Sequence, residues 1–219
     1  MAHVPASERR PQLVQAAIDL MTREGIAAGS TRAIAAELGV AQATVHYTFG
    51  TKKDLYRAIV ERLTSDFVGE VRAASPGDGA FGEQVRTLVQ ALWEAATGEH
   101  GHCVLLSEFG ALALRDPDMR EIMLEMQHDI EGTAVEMLDA LAAAHSLTLA
   151  LPARRIAVHF LGGFDGLTAR HLTLRNPGDR PDPDTLEALE LLVATTVGLC
   201  LGTPAARPEP GWHGDRDGL

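Results

Sequence analysis

Thr31-Arg-Ala-Ile-Ala-Ala-Glu-Leu-Gly-Val40 and, two residues on, Ala43-Thr-Val-His-Tyr-Thr-Phe-Gly-Thr-Lys-Lys-Asp-Leu55 read as two short helices, a tight turn between them, and the start of a third. The first spans about Thr31 to Leu38, with Ile34, Ala35 and Leu38 facing inward. Gly39 stops it, because glycine enters the left-handed backbone region without steric cost. The second runs from about Gln42 to Thr48 and ends at Gly50. Thr51 then caps a longer helix reaching about Ala73, with Asp54 three residues on to complete a capping box. Two short helices around a glycine turn form a helix-turn-helix if the second has one face packed and one free. At about 100° per residue, Val45 and Phe49 share the packed side with Val40. Ala43 and Tyr47 project the other way, flanked by Thr44 and His46, with Gln42 at the helix start.

The helical pattern continues on both sides. Upstream, Leu13, Ala16, Ala17, Leu20 and Met21 form one apolar face, with Pro11 placed in the first turn and Gly25 at the stop. The helix opened by Thr51 carries a stripe of Leu55, Ile59, Leu63 and Phe67. After the break at Ser75-Pro-Gly-Asp-Gly79, helices are expected at about Phe81–Thr97, Cys103–Leu114, Asp116–His145, Pro152–Leu174 and from Asp184 or Thr185 to Gly202. No run of strand period and no internal repeat occurs. The expected fold is all-α.

Charge divides the chain unevenly. Residues 1–62 hold eight Arg/Lys against six Asp/Glu, whereas the remainder holds eleven against twenty-four, within a total of −11. Only the first part can meet a polyanion, since the second would repel it. The two cysteines, Cys103 and Cys200, allow one bridge at most, which suits a reducing cytosol. The start, MAHVPASERRPQ, has no apolar run of a secretory leader, and the longest uncharged stretch, Leu191 to Ala206, is too short and too broken for a membrane helix. The expectation is a soluble, cytoplasmic protein with no membrane partner.

The free face of the second short helix suits a major groove, where Gln reads adenine and apolar groups touch the thymine methyl. It carries little positive charge, so affinity has to come from phosphate contacts. The only lysines of the chain, Lys52 and Lys53, open the next helix. A helix N-terminus disfavours cations by about 0.3–1 kcal/mol. A phosphate reverses that sign, because backbone N–H groups and ammonium groups can hold the same anion. Arg32, at the start of the preceding short helix, is placed similarly.

This constellation resembles the N-terminal DNA-binding domain of the TetR family of transcriptional regulators. The resemblance covers about Pro11 to Arg62: the Ile34-Ala35 pair, the Gly39-Val40 turn, Thr44, the aromatic Phe49, and the Lys52-x-x-Leu55 opening. Family members usually have Tyr where His46 stands and often Ser where Ala41 stands. The first change alters a base or phosphate contact and the second weakens a helix cap. The resemblance implies a helix-turn-helix domain over residues 1–62 and an effector-binding and dimerisation domain over 63–203, joined by the long helix from Thr51; the tail over 204–219, dominated by Pro, Gly and charge, is expected to be mobile. It implies a homodimer on a double-stranded DNA operator, releasing it when a small molecule binds. The residues expected at the DNA are Thr31, Arg32, Gln42, Ala43, Thr44, His46, Tyr47, Thr48 and Lys52. In the last two long helices, Gly162, Gly163, Gly166 and Gly198 allow close backbone approach. Ile156, Phe160, Phe164 and Leu167, against Leu189, Leu192, Val193, Val197 and Leu201, offer more apolar surface than one subunit is expected to cover.

For the effector, polar or aromatic residues on apolar helix faces are the candidates: Trp93, Phe109, Met123, Met126, His128, His159, Phe160, Asp165 and Thr168. Their Met-rich, aromatic character favours an aromatic or lipophilic molecule. His100-Gly-His102-Cys103, beside Glu99, holds metal-ligand types at a spacing that fits no structural zinc module, so no metal and no cofactor is assigned. The alternative is a helical carrier or enzyme with a vestigial DNA-binding head. Against it, the chain has no Gly-rich phosphate loop, no nucleophile elbow and no His-Glu metal helix. Asp165 with His159 or His171 is the one acid–base pair to consider.

Overall fold

The computed structural model describes residues 6–74, 77–98, 102–176 and 178–202. Those residues form nine α-helices and no strand: α1 (Ala6–Glu24), α2 (Thr31–Glu37), α3 (Gln42–Phe49), α4 (Lys52–Ala73), α5 (Phe81–Thr97), α6 (His102–Ala113), α7 (Pro117–Ala144), α8 (Ala153–Leu174) and α9 (Pro183–Leu201). The tail expected at 204–219 lies outside the described residues.

α1 begins earlier than its apolar stripe indicates, so Pro11 is an interior residue rather than a first-turn one. Its side chain is exposed, and the carbonyl left without a partner there can turn to water. After Gly25, at φ +83°, a single 3₁₀ turn over Ile26–Ala28 appears that periodicity gave no sign of. It is followed by Gly29, where a Cβ would collide with Met21. Helix ends elsewhere follow local chemistry. The Ser30 hydroxyl accepts from Ala33 N, the Thr51 hydroxyl from Asp54 N, and the Asp116 carboxylate from Asp118 N and Met119 N. Asp182 caps α9 through Thr185 N, which moves the start of that helix to Pro183. Ala41 supplies no side-chain cap to α3. Gly202, at φ +74°, closes α9.

The head is built on Leu13, Ala17, Ile18 and Met21 of α1, Ile34 and Ala35 of α2, Val45 and Phe49 of α3, and Leu55, Ile59 and Leu63 of α4. Its core does not stop at the head. Leu105, Phe109 and Ala113 of α6 and Met119 and Ile122 of α7 belong to the same buried cluster. Phe109 is fully buried, with its ring edge-on to Tyr56 at 5.2 Å. A second tie is polar: the Ile26 N–H donates to the Glu108 carboxylate at 2.7 Å.

Behind the head, α5 packs on α8 and α9 through Phe81, Val85, Ile156, Val193 and Leu199, and again through Trp93, Phe164, Leu189 and Leu192. This corrects the surplus of apolar surface expected on the last two helices. Ile156, Phe164, Leu189, Leu192 and Val193 are buried within the subunit, and Phe160, Leu167 and Val197 pack partly against the same clusters. Of the expected set only Leu201 is left outward, joined by Val158, Leu174, Leu186 and Leu191. The glycines divide likewise. A Cβ on Gly163 would lie 2.7 Å from Leu192 Cδ1, so that glycine serves packing inside the subunit. A Cβ on Gly162 or Gly166 would meet nothing within 4 Å among the described residues. Among the described residues no helix is long and apolar enough to cross a membrane.

Candidate functional site

The free face of α3 is laid out as its periodicity predicts. Gln42, Ala43, His46 and Tyr47 are exposed, Thr44 and Thr48 are half-buried, and Val45 and Phe49 anchor the helix. Tyr47 is 92% exposed, and nothing in the subunit explains so much uncovered ring. Gln42 Nε2 donates to the Thr31 hydroxyl at 3.1 Å, and His46 Nε2 lies 3.4 Å from that hydroxyl and 3.5 Å from Gln42 Nε2. Thr31 thus ties the start of α2 to the exposed face of α3 and fixes the side chains that would enter a groove. Thr48 is turned inward on its own helix, its hydroxyl donating to the Thr44 carbonyl. Arg32 is exposed at the first turn of α2.

Beside that face a cleft of about 280 Å³ is lined by Ser30, Thr31, His46, Gly50, Thr51 and Lys52. The N-termini of α2 and α4 both border it, so free backbone N–H groups and two positive dipole ends converge there, an arrangement that favours an anion. The Lys52 ammonium sits 4.9 Å above the Tyr56 ring.

Lys53 departs from the expected pattern. Its Nζ pairs with Asp118 at 3.0 Å and Glu121 at 2.9 Å, both on α7. One turn later Arg57 reaches Glu121 and Glu125, each at 3.0 Å. The two adjacent lysines therefore do not form a common phosphate site: Lys52 borders the cleft and Lys53 holds the head to the acidic part of the chain. Residues i and i+1 on a helix lie about 100° apart and cannot serve one face together. The hydrogen bonds to Glu121 and then Asp118 raise the Lys53 pKa, and the hydrogen bond from Lys53 lowers that of Glu121. A signal for this latch was present as spacing: Lys53 and Arg57 are one turn apart, and so are Asp118, Glu121 and Glu125.

A second cavity, about 440 Å³, lies between α4, α5, α6, α7 and α8. α4 contributes Thr64, Phe67, Val68 and Val71, and α7 contributes Met123, Met126, Gln127, Ile130, Thr133, Ala134 and Met137. The structure brings together five of the nine expected effector residues: Met123, Met126, Phe160, Asp165 and Thr168. The other four lie elsewhere. Trp93 packs behind the cavity against Phe164 and His171, and Phe109 fills the head-to-body core. His128 and His159 are exposed to solvent, which also removes His159 as a partner to Asp165 in an enclosed site. His171 is fully buried, with neither ring nitrogen hydrogen-bonded among the described residues.

His100 and Glu99 fall outside the described residues. Cys103, near the start of α6, lines the cavity, and burial, then the nearby Asp165 and Glu70 carboxylates, push its thiol up to about 11. A thiol held protonated at neutral pH is a poor metal ligand. Among the described residues no three His, Cys, Asp or Glu side chains gather as a metal centre requires.

The family described as bacterial regulatory proteins, tetR family, matches residues 13–59, the helices that carry the cleft and the exposed α3 face. The chain is 30% identical over 186 residues to the HTH-type transcriptional repressor Rv3405c of Mycobacterium tuberculosis, covering 78% of this chain and 91% of that protein. The chain belongs to the TetR family. As a TetR-family protein it is a DNA-binding transcriptional regulator. It is also 26% identical over 192 residues to the nicotine-responsive transcriptional repressor HdnoR of Paenarthrobacter nicotinovorans, across 88% of this chain and 97% of that one. The multidrug binding protein EbrR, solved with imidazole, superposes with a TM-score of 0.59 at 27% identity, over 85% of this chain and 93% of its own.

Proposed function

We propose that this TetR-family regulator is a ligand-responsive repressor and not an enzyme. As a homodimer it holds an operator and releases it when a small molecule enters the 440 Å³ cavity. One observation carries the reading. α4 forms an edge of the anion cleft at Lys52 and a wall of the cavity at Thr64, Phe67, Val68 and Val71. A molecule wedged against that wall bears directly on the helix that orients the head. In this reading Gln42, Ala43, Thr44, His46 and Tyr47 face the groove, while Thr31, Arg32, Thr48 and Lys52 lie toward the phosphates. The ordered net of Thr31, Gln42 and His46 and the uncovered Tyr47 are unexpected of a vestigial head.

The dimer rests on the last two helices, as the resemblance implies, with Gly162, Gly166 and Leu201 kept from the expected set and Val158 and Leu191 added to it. Gly162 and Gly166 on α8 have open space above them, and Val158 on α8 and Leu191 and Leu201 on α9 are exposed. An apolar, small-residue surface of this kind suits helix-on-helix contact with a second copy and would place two heads on one duplex.

Release works by difference. The effector must bind the subunit geometry that mismatches the operator more tightly than the one that fits, and coupling of about 1–3 kcal/mol is typical. The decisive experiment is fluorescence anisotropy on the duplex flanking the gene for this protein. Salt-sensitive binding to a two-fold site is expected, relieved by ligands that also raise the melting temperature. A protein that binds lipophilic molecules but no duplex at any salt concentration would refute the repressor reading.

A further inference from the structure

The cavity that we assign to the effector also states the effector's charge. Among the described lining residues Asp165 is the one charged side chain, and no Lys, Arg or His is among them. No ion pair or hydrogen bond answers the Asp165 carboxylate among the described residues. Asp165 stands at the rim on α8, exposed to solvent on the isolated subunit, yet with enough protein around it to hold its carboxyl above the usual aspartate range. A second carboxylate, that of Glu70 on α4, is near enough to act on Cys103 together with Asp165. The rest of the lining is apolar and aromatic, including Phe67, Phe160 and Phe164, whose ring faces attract cations.

A half-desolvated carboxylate without a counter-charge costs free energy, and the cost disappears when a cation fills the place. From this juxtaposition we infer that the effector is a hydrophobic monocation, a protonated amine or quaternary ammonium, with its charge at Asp165 and its apolar body between α4 and α7. Anionic lipophiles, such as fatty acids, meet repulsion from the same group and find no basic side chain in the lining. The inference rests on the cavity being the effector site, and its test separates the two.

Isothermal titration of the full-length protein with decyltrimethylammonium, 1-decanol and decanoate compares positive, neutral and negative heads on the same tail. The cation is expected to bind about tenfold or more tighter than decanol, as a charge-assisted contact warrants, and decanoate weakest. Asp165→Asn is expected to close the gap between the cation and decanol, and Asp165→Glu to keep it open. Thermal melting of each variant checks that it is folded. Decanol and the cation binding equally to the natural protein, or an unchanged gap in Asp165→Asn, overturns the charge assignment while leaving the cavity as the effector site. Binding of none of the three overturns both.

Discussion

Lys52 and Lys53 are chemically identical neighbours, and their surroundings give them opposite tasks. Lys52 stands at the mouth of the anion cleft, and Lys53 is consumed by Asp118 and Glu121. Replacing Lys52 with Ala is expected to weaken operator binding and to reduce the slope of log affinity against log salt by about one, the signature of one lost phosphate contact. Lys53→Ala is expected to leave that slope in place. Anisotropy titrations over a salt series check both, and equal slopes in the two variants would contradict the division. His171 makes a different point at the same scale. Its imidazole is fully buried with both nitrogens unpaired among the described residues, a state that usually costs about 1–3 kcal/mol. His171→Leu, of similar size, is therefore expected to raise stability in urea unfolding at fixed protein concentration. A loss of stability would mean that the ring has a partner such as a buried water.

At the level of elements, α4 and α7 form the joint. They share the cavity wall and are pinned near the head by Lys53 and Arg57 against Asp118, Glu121 and Glu125. Glu121 is the shared acceptor, so Glu121→Gln is expected to loosen the joint and to lower the ligand concentration that releases DNA, read from anisotropy. The pH dependence follows from the shifts. Lowering of the Glu121 pKa means that its contribution is present above the ordinary glutamate range and fades as pH falls through the depressed value. Raising of the Lys53 pKa means that its contribution is present below the ordinary lysine range and fades as pH climbs through the raised value. The joint should thus be intact around neutrality and weaken toward strong acid, through Glu121, and toward strong base, through Lys53. The second tie is Glu108, which accepts from Ile26 N. Glu108→Ala leaves that partly buried donor orphaned and is expected to cost about 1–3 kcal/mol, with Glu108→Gln costing less because an acceptor remains.

For the whole molecule, the test is whether one subunit suffices. Leu191 is 61% exposed on α9, and Val158 is 47% exposed on α8. Leu191→Glu is expected to turn the proposed dimer into a folded monomer in sedimentation experiments, and to abolish tight operator binding because a single head covers half a site. A variant that remains dimeric would place the interface elsewhere. Bipartite charge belongs to this scale as well. The acidic body repels DNA, which leaves the head as the contact surface, yet the same carboxylates on α7 grip the head's own cations. Charge balance read from composition shows the first effect and is blind to the second.

What could be read from the order of residues was whatever local rules govern. Gly39, Gly50 and Thr51 set the ends of short helices through backbone geometry and capping, and Val45 and Phe49 set the packed face of α3 through helical period, so the head and its exposed residues were legible before any coordinates. Met123, Met126 and Phe160 are legible as effector candidates because chemical type alone marks them, and they line the cavity. Phe109 and Trp93 look the same by type and turned out to be structural, since which face of a helix meets a void depends on the packing of several helices at once. The separation of Lys53 from Lys52, the partner of Ile26, and the outward place of Val158, Leu174, Leu186 and Leu191 on α8 and α9 come only with the fold. Each depends on contacts between segments far apart in sequence, and periodicity gives the direction of a side chain without naming what stands opposite.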